Sequence, residues 1–142
     1  MKTYYDDQIQ SVVRFRIDPP PRSWRWVPQT DGWQSAYNSL TGLRLGVTDE
    51  AIEVRGFGPF RRLIEALGQA KLSLPPHETT MSTVRLRRIA IGPWRAPRPQ
   101  SDYVALSCKL PNDAEYTLAV RPSDRDFDRL RNALKMAGVQ ES

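Results

Sequence analysis

The stretch VRLRRIAIGPWRAPRP, residues 84–99, contains five arginines, one tryptophan and no acidic residue. Guanidinium groups bind carboxylates and phosphates through paired hydrogen bonds, and an indole ring offers a flat apolar contact beside them. Arginine and tryptophan are also enriched at the energetic centres of protein interfaces. We therefore predict that this stretch contacts a partner through Arg85, Arg87, Arg88, Trp94, Arg95 and Arg98.

A second set of the same residue types lies near the N-terminus. In SVVRFRI, apolar residues alternate with Arg14 and Arg16, which predicts a half-buried strand with both arginines facing outward. The proline-rich stretch that follows adds Trp24 and Trp26. If the strands are neighbours, these side chains join the first set in one cationic face.

The same residues fit more than one role. We predict a non-enzymatic interaction module that binds a protein or an anionic ligand through the Arg/Trp-rich face. The alternative is a nucleic-acid-binding protein, because arginine neutralises phosphate and aromatic rings stack on bases. An anionic membrane surface and a homodimer through a strand edge also remain open. A face of solvated arginines that only shields the sheet is the simplest interpretation.

The sequence gives little support to catalysis. Its single cysteine, Cys108, and single histidine, His77, are far apart, whereas zinc sites and Cys–His catalysis need such groups close together. Cys108 falls on the apolar side of a predicted strand and His77 in a polar loop. The sequence contains no phosphate-binding or hydrolase motif. We predict no metal and no cofactor, and an enzyme with dispersed carboxylates remains a second alternative.

Length and composition predict one domain, residues 1–142, with a net charge of +5. One cysteine forms no internal disulfide, so an oxidising compartment is not needed. The N-terminus lacks the apolar stretch of a signal peptide, and no apolar run has the length of a membrane span. These features predict a cytoplasmic protein.

Alternating apolar residues predict further strands after a loop over 18–34. One hairpin covers 42–56 around the turn TDEA, and a second joins 102–110 to 115–120 through PNDAE. Between them, Val84 and Leu86 are out of phase with Ile89 and Ile91. A bulge near Arg87–Arg88 would correct that phase.

Two stretches have helical spacing. Phe60, Leu63, Ile64 and Leu67 predict a short apolar helix over 59–68, with a strand at RRLI as the alternative. The stretch from Ser123 to Gly138 predicts an amphipathic helix with acids in its first turns and an αL glycine at its end.

LRLGVTDEAIEVRGFGPFRRLI and DYVALSCKLPNDAEYTLAVRPSDRDFDRLRNALKMAG resemble the bacterial pleckstrin-homology-like domain, over about half the chain. The resemblance implies a bent sheet closed by the C-terminal helix, with loops at the open end that bind partners. We therefore expect an α+β fold with a strand-rich antiparallel sheet, or a partly open barrel, and a C-terminal amphipathic helix. The alternative is an α+β sheet with an additional short helix at 59–68. That short helix and the proline-rich loop both depart from the family pattern.

Overall fold

The computed structural model describes residues 1–10, 12–22, 32–38, 42–68, 70–87 and 100–142. The strands in these ranges are β1 (Thr3–Ile9), β2 (Val12–Asp18), β3 (Gln34–Tyr37), β4 (Leu43–Thr48), β5 (Ile52–Arg55), β6 (Ser73–Leu74), β7 (Thr80–Arg87), β8 (Gln100–Lys109), β9 (Glu115–Val120) and β10 (Gln140–Glu141). The helices are α1 (Arg61–Gly68) and α2 (Phe127–Ala137). The expected α+β class is confirmed.

The strands form two sheets. The four-stranded sheet has the order β1-β4-β5-β6, and the six-stranded sheet has the order β10-β7-β8-β9-β2-β3. Neighbouring strands are antiparallel except for β10, which runs parallel to β7. Because β1 ends at Ile9 and β2 begins at Val12, the chain passes directly from one sheet to the other. Within the described ranges the sheets stay separate and form no closed barrel.

The main core lies between the sheets, where each strand directs every second side chain. Val13, Phe15 and Ile17 of β2 are buried there, as their alternation predicted. So are the apolar residues of the predicted hairpins, which form β4–β5 and β8–β9. The TDEA turn closes with a hydrogen bond from Thr48 N–H to Ala51 O at 2.9 Å.

The helix α2 packs against β1 and β4. Its buried side chains are Leu130, Ala133, Leu134 and Ala137. Gly138 ends it at φ 106°, in the left-handed region, and donates its N–H to Leu134 O and Lys135 O, as predicted. Ser123 is the N-cap residue of the 3₁₀ turn Asp124–Asp126 that precedes α2, but its hydroxyl donates to the Asp126 carboxylate at 3.0 Å and caps no backbone N–H.

The short helix over 59–68 is confirmed and the strand alternative is wrong. A 3₁₀ turn at Gly58–Phe60 leads into α1, with Pro59 in that turn. Ile64 packs on the main core, whereas Phe60 and Leu63 are exposed. Of the three described side chains of the predicted apolar face, Ile64 therefore reaches the core and the other two do not.

Two sequence expectations about other segments need correction. Residues 18–34 are not all loop, because Gln34 begins β3 and pairs with Phe15. The β7–β8 pairing is regular up to Arg87, so the expected bulge does not lie in the described part of β7. Val84 and Leu86 face away from the main core and join a second apolar cluster on the outer face of the six-stranded sheet.

Candidate interaction site

The two ends of the Arg/Trp-rich stretch meet at one end of the six-stranded sheet. Arg87, the last residue of β7, is the register partner of Gln100, the first residue of β8. Residues 88–99 connect these partners along the sequence. The predicted contact residues that lie outside the described residues are Arg88, Trp94, Arg95, Arg98, Trp24 and Trp26.

A pocket of about 340 Å³ opens at this end of the sheet. It is formed where β7 and β8 meet the chain that runs from β9 into α2. Its walls combine cationic, anionic, amide, hydroxyl and aromatic groups. The lining residues are Arg85, Gln100, Ser101, Asp102, Arg121, Asp124 and Phe127.

The guanidinium of Arg121 makes contacts within the protein that stabilise the pocket wall. Its guanidinium donates to the backbone O of Asp102 at 2.7 Å and to the carboxylate of Asp124. It also lies over the Phe127 ring, 5.3 Å from the centroid. Only 11% of its side-chain surface is exposed, so Arg121 ties β8 to the start of α2.

Arg85 is the cation of this pocket that faces solvent. Its side chain is 68% exposed, and its Nε lies 3.9 Å from Oδ1 of Asp102, whose side chain is 54% exposed. That separation exceeds a hydrogen bond, and such exposed pairs contribute little to stability. An incoming carboxylate can therefore compete with Asp102 for the Arg85 guanidinium.

The prediction that Arg14 faces solvent is wrong. Arg14 is on the outer face of β2 but only 2% exposed. Beside it on that face lie the register partners Ala119 and Ala105, whose small side chains leave room across the sheet. The Arg14 guanidinium donates to the backbone O of Arg87 at 3.1 Å. Buried cations are stable only with such partners.

Arg16 lies one pleat further along the same face. Its guanidinium is stacked over the ring of Trp33, 4.8 Å from the centroid. Trp33 is itself buried with Leu86, Tyr103 and Ala119 in the outer-face cluster. The sequence predicts Trp33 to lie in a loop, and in the structure it packs against the apolar residues of this cluster. Arg16 is thus a cation–π partner as well as a surface charge.

The arginines of the four-stranded sheet belong to a different surface. Arg44 and Arg55 are opposite each other in the β4–β5 register, and both pair with the Asp6 carboxylate. The hydrogen bond from Arg55 lowers the pKa of Asp6 below its usual value, and Arg44 acts in the same direction. Arg44 and Arg55 therefore lie apart from Arg14, Arg16, Arg85 and Arg87, which belong to the six-stranded sheet.

Cys108 lines a smaller pocket of about 170 Å³ at the opposite end of β8, with Glu78 and Glu115 also in its lining. Its side chain is buried, and burial raises the pKa of the thiol. A protonated thiol is a poor nucleophile and a poor metal ligand. The predicted core-facing position of Cys108 is confirmed.

The described residues contain no group of three or more His, Cys, Asp or Glu side chains placed to hold a metal ion. Among these same ranges, neither helix has the length and apolar character needed to cross a bilayer. Comparisons of the chain with family models, with curated proteins and with solved structures give no match.

Sequence reasoning found Arg85 but missed the other pocket residues. Arg121 follows the last alternating residue of β9, and Asp124 and Phe127 come at the start of α2. The acids of that region were explained by the helix N-terminus alone. The sequence feature that could have identified this pocket is the position of Arg121 between a strand and a helix, because side chains from several elements converge at such a junction.

Proposed function

We propose that this protein is a non-enzymatic interaction module that binds an acidic segment of another protein at the Arg85 pocket. The observation that carries the proposal is the loose, exposed Arg85–Asp102 pair in a pocket whose wall includes Gln100, the residue that follows the stretch 88–99 in sequence. That stretch contributes three of the positive charges in a chain of net charge +5, and it contains no acid. Attraction from these charges speeds the encounter with an acidic partner.

The ion pairs formed by six other arginines favour a protein partner over nucleic acid. Extended polyanions are bound by rows of cations that neutralise successive phosphates. Here the guanidinium groups of Arg44, Arg55, Arg61, Arg121, Arg129 and Arg131 are in ion pairs with carboxylates. In addition, Asp102 and Asp124 line the pocket beside Arg85 and Arg121, so its wall carries charges of both signs. A short epitope of mixed polarity fits this pattern better.

We also propose that the fold is of the pleckstrin-homology-like type. The support is the position of α2 beside β1 and β4, with its apolar side in the core between the sheets. In that arrangement the helix closes one end of the sheets and leaves connecting segments to bind partners.

The proposed function is tested by fluorescence anisotropy with a labelled oligoglutamate peptide. We expect Arg85→Ser/Arg87→Ser to weaken binding about tenfold, because two exposed cations at the site are lost. The charge-matched control is Arg62→Ser/Lys109→Ser, whose exposed cations lie on α1 and at the far end of β8. It should bind almost as the wild type does. Equal losses in both variants would show attraction to net charge alone and would overturn the proposed site.

A short oligothymidylate serves as the competing probe. Binding that is tighter than that of the oligoglutamate peptide, and that weakens steeply with salt, would identify nucleic acid as the partner. That result would overturn the proposal of an acidic protein segment. Preference for the oligoglutamate peptide at every salt concentration would support it.

A further inference from the structure

We propose that Arg14 is a positioning residue that fixes the pocket-bearing end of the β7–β8 hairpin to β2 of the same sheet. The inference rests on the proposed function for its binding readout, but not for its structural one. Arg14 is among the largest fully buried side chains of the protein. A guanidinium in such a place needs a specific reason, because burial of an ion costs several kcal/mol unless hydrogen bonds compensate.

The contact of Arg14 identifies what it holds. Its acceptor is the backbone carbonyl of Arg87, which lies 73 positions away in sequence. Arg87 is the residue at which β7 ends, and its register partner Gln100 is part of the pocket wall. Arg85, the exposed cation of the pocket, lies two positions before Arg87 on the same strand. This hydrogen bond therefore connects β2 to the end of β7, the strand that carries Arg85 and pairs with β8.

The residues next to Arg14 are small and leave room for its long side chain on the outer face of the sheet. In the register row of Arg14, the neighbouring strand β9 carries Ala119 and the next strand, β8, carries Ala105, and both alanines are almost completely buried. Larger side chains at these two positions would occupy the space beside Arg14. Leu86 and Tyr103 are buried on the same outer face. Arg14 is buried whereas Arg87 is exposed, so the bond from the guanidinium to the Arg87 carbonyl is partly shielded from water, which strengthens it.

Arg16 provides the matched comparison on the same strand. It shares the outer face with Arg14, but its guanidinium is stacked on Trp33 instead of bonding to the hairpin end. If Arg14 and Arg16 contributed only by burying the aliphatic part of their side chains, replacing either residue would have similar consequences. If Arg14 positions the site, only its replacement changes the site.

The experiment compares Arg14→Met, Arg14→Lys and Arg16→Met in the full chain. It measures thermal stability, affinity for the oligoglutamate peptide, and amide hydrogen exchange at both ends of the β7–β8 hairpin. For Arg14→Met we expect about tenfold weaker binding and about tenfold faster exchange at Leu86 and Ser101, with little change at Met81 and Leu106. Arg14→Lys, which keeps a donor, should recover part of both losses. Arg16→Met should leave both readouts unchanged.

Two results would overturn the positioning role: equally faster exchange at both hairpin ends, or lower thermal stability with unchanged affinity and unchanged local exchange. If Arg14→Met does not fold, Arg14→Lys carries the same test, because a local increase in exchange is still expected. If the wild type does not bind the peptide, the proposed function fails, while the exchange comparison still decides the role of Arg14.

Discussion

The outer faces of the two sheets both carry arginines that alternate with apolar residues, but they place them in different surroundings. On the four-stranded sheet, Arg44 and Arg55 are exposed and share the Asp6 carboxylate. On the six-stranded sheet, Arg14 is buried among apolar groups and bonds to a backbone carbonyl. The first surface is stabilised by exchangeable ion pairs, and the second by packing.

This difference shows what alternation in sequence specifies. A period of two fixes which side chains share a face, and here that was correct for both sheets. It does not specify whether the opposite face meets water, because that depends on segments far away in sequence. Both faces of β2 are therefore apolar environments, even though one of them carries arginines.

The largest expected effect comes from opening the apolar outer face. Tyr103→Ala should destabilise the protein by about 3–5 kcal/mol, because Tyr103 is 1% exposed and its removal leaves a cavity. Tyr37→Ala is the control, since Tyr37 is on the same face but 57% exposed. Its cost should stay below about 0.5 kcal/mol. Urea denaturation measures both, and similar costs for the two tyrosines would contradict a buried outer face.

A smaller effect is expected at the contact between the outer-face cluster and Arg16. Trp33→Leu keeps an apolar side chain but loses buried aromatic area and the cation–π contact with Arg16. We expect a loss of about 1–2 kcal/mol. In the background of Arg16→Met the same substitution should cost less, because the cation–π part is already absent. A double-mutant cycle by urea denaturation measures this coupling, and a coupling energy of zero would mean that the stacking contributes nothing.

On the four-stranded sheet the corresponding change should be mild. Arg55→Ala removes one of the two cations that pair with Asp6, and exposed ion pairs contribute about 0.2–1 kcal/mol. The remaining loss should shrink further in high salt, because solvent-exposed charges are screened. Thermal denaturation at low and high salt tests this. A salt-independent loss above about 2 kcal/mol would place Arg55 in the same class as the buried Arg14.

The smallest effect concerns the titration of Asp6. Its pKa is lowered in the folded state, so the folded protein binds the proton less readily than the unfolded chain does. The stabilising contribution is thus present above the unfolded value, about 3.9, and is lost as pH falls through the folded value. Asp6→Asn should flatten this part of the stability profile. An NMR titration of the Asp6 carboxyl that shows a normal or raised pKa would contradict the pairing.

Local patterns were sufficient for much of the fold. The β4–β5 and β8–β9 hairpins have clear alternation and short polar turns, and α2 has a continuous apolar side and a terminal glycine. The strand β1 was missed because TYYDDQI contains two adjacent acids, and Asp7 forms its ion pair with Arg129 of the distant α2. The strand β3 was missed because it consists of the four residues Gln34–Tyr37 next to a proline-rich stretch.

The candidate site was less accessible from sequence. Arg85 was found because arginine is conspicuous in an acid-free stretch, whereas Arg121 and Asp102 were not. Their roles depend on three elements that come together in the fold. The local periodicity of apolar residues gives no information about such contacts. The burial of Arg14 was hidden for the same reason. It depends on small residues at Ala105 and Ala119, about a hundred positions further along the chain.

The position of β2 between β9 and β3 also has a consequence for how the protein folds. Its neighbour β9 is joined to it only after a loop of about a hundred residues has closed, which makes the entropic cost of pairing high and folding slow. During synthesis on the ribosome, the edge of β2 that pairs with β9 stays unpaired until the β9 segment emerges. An unpaired strand edge is prone to aggregation, so a chaperone would protect the chain there.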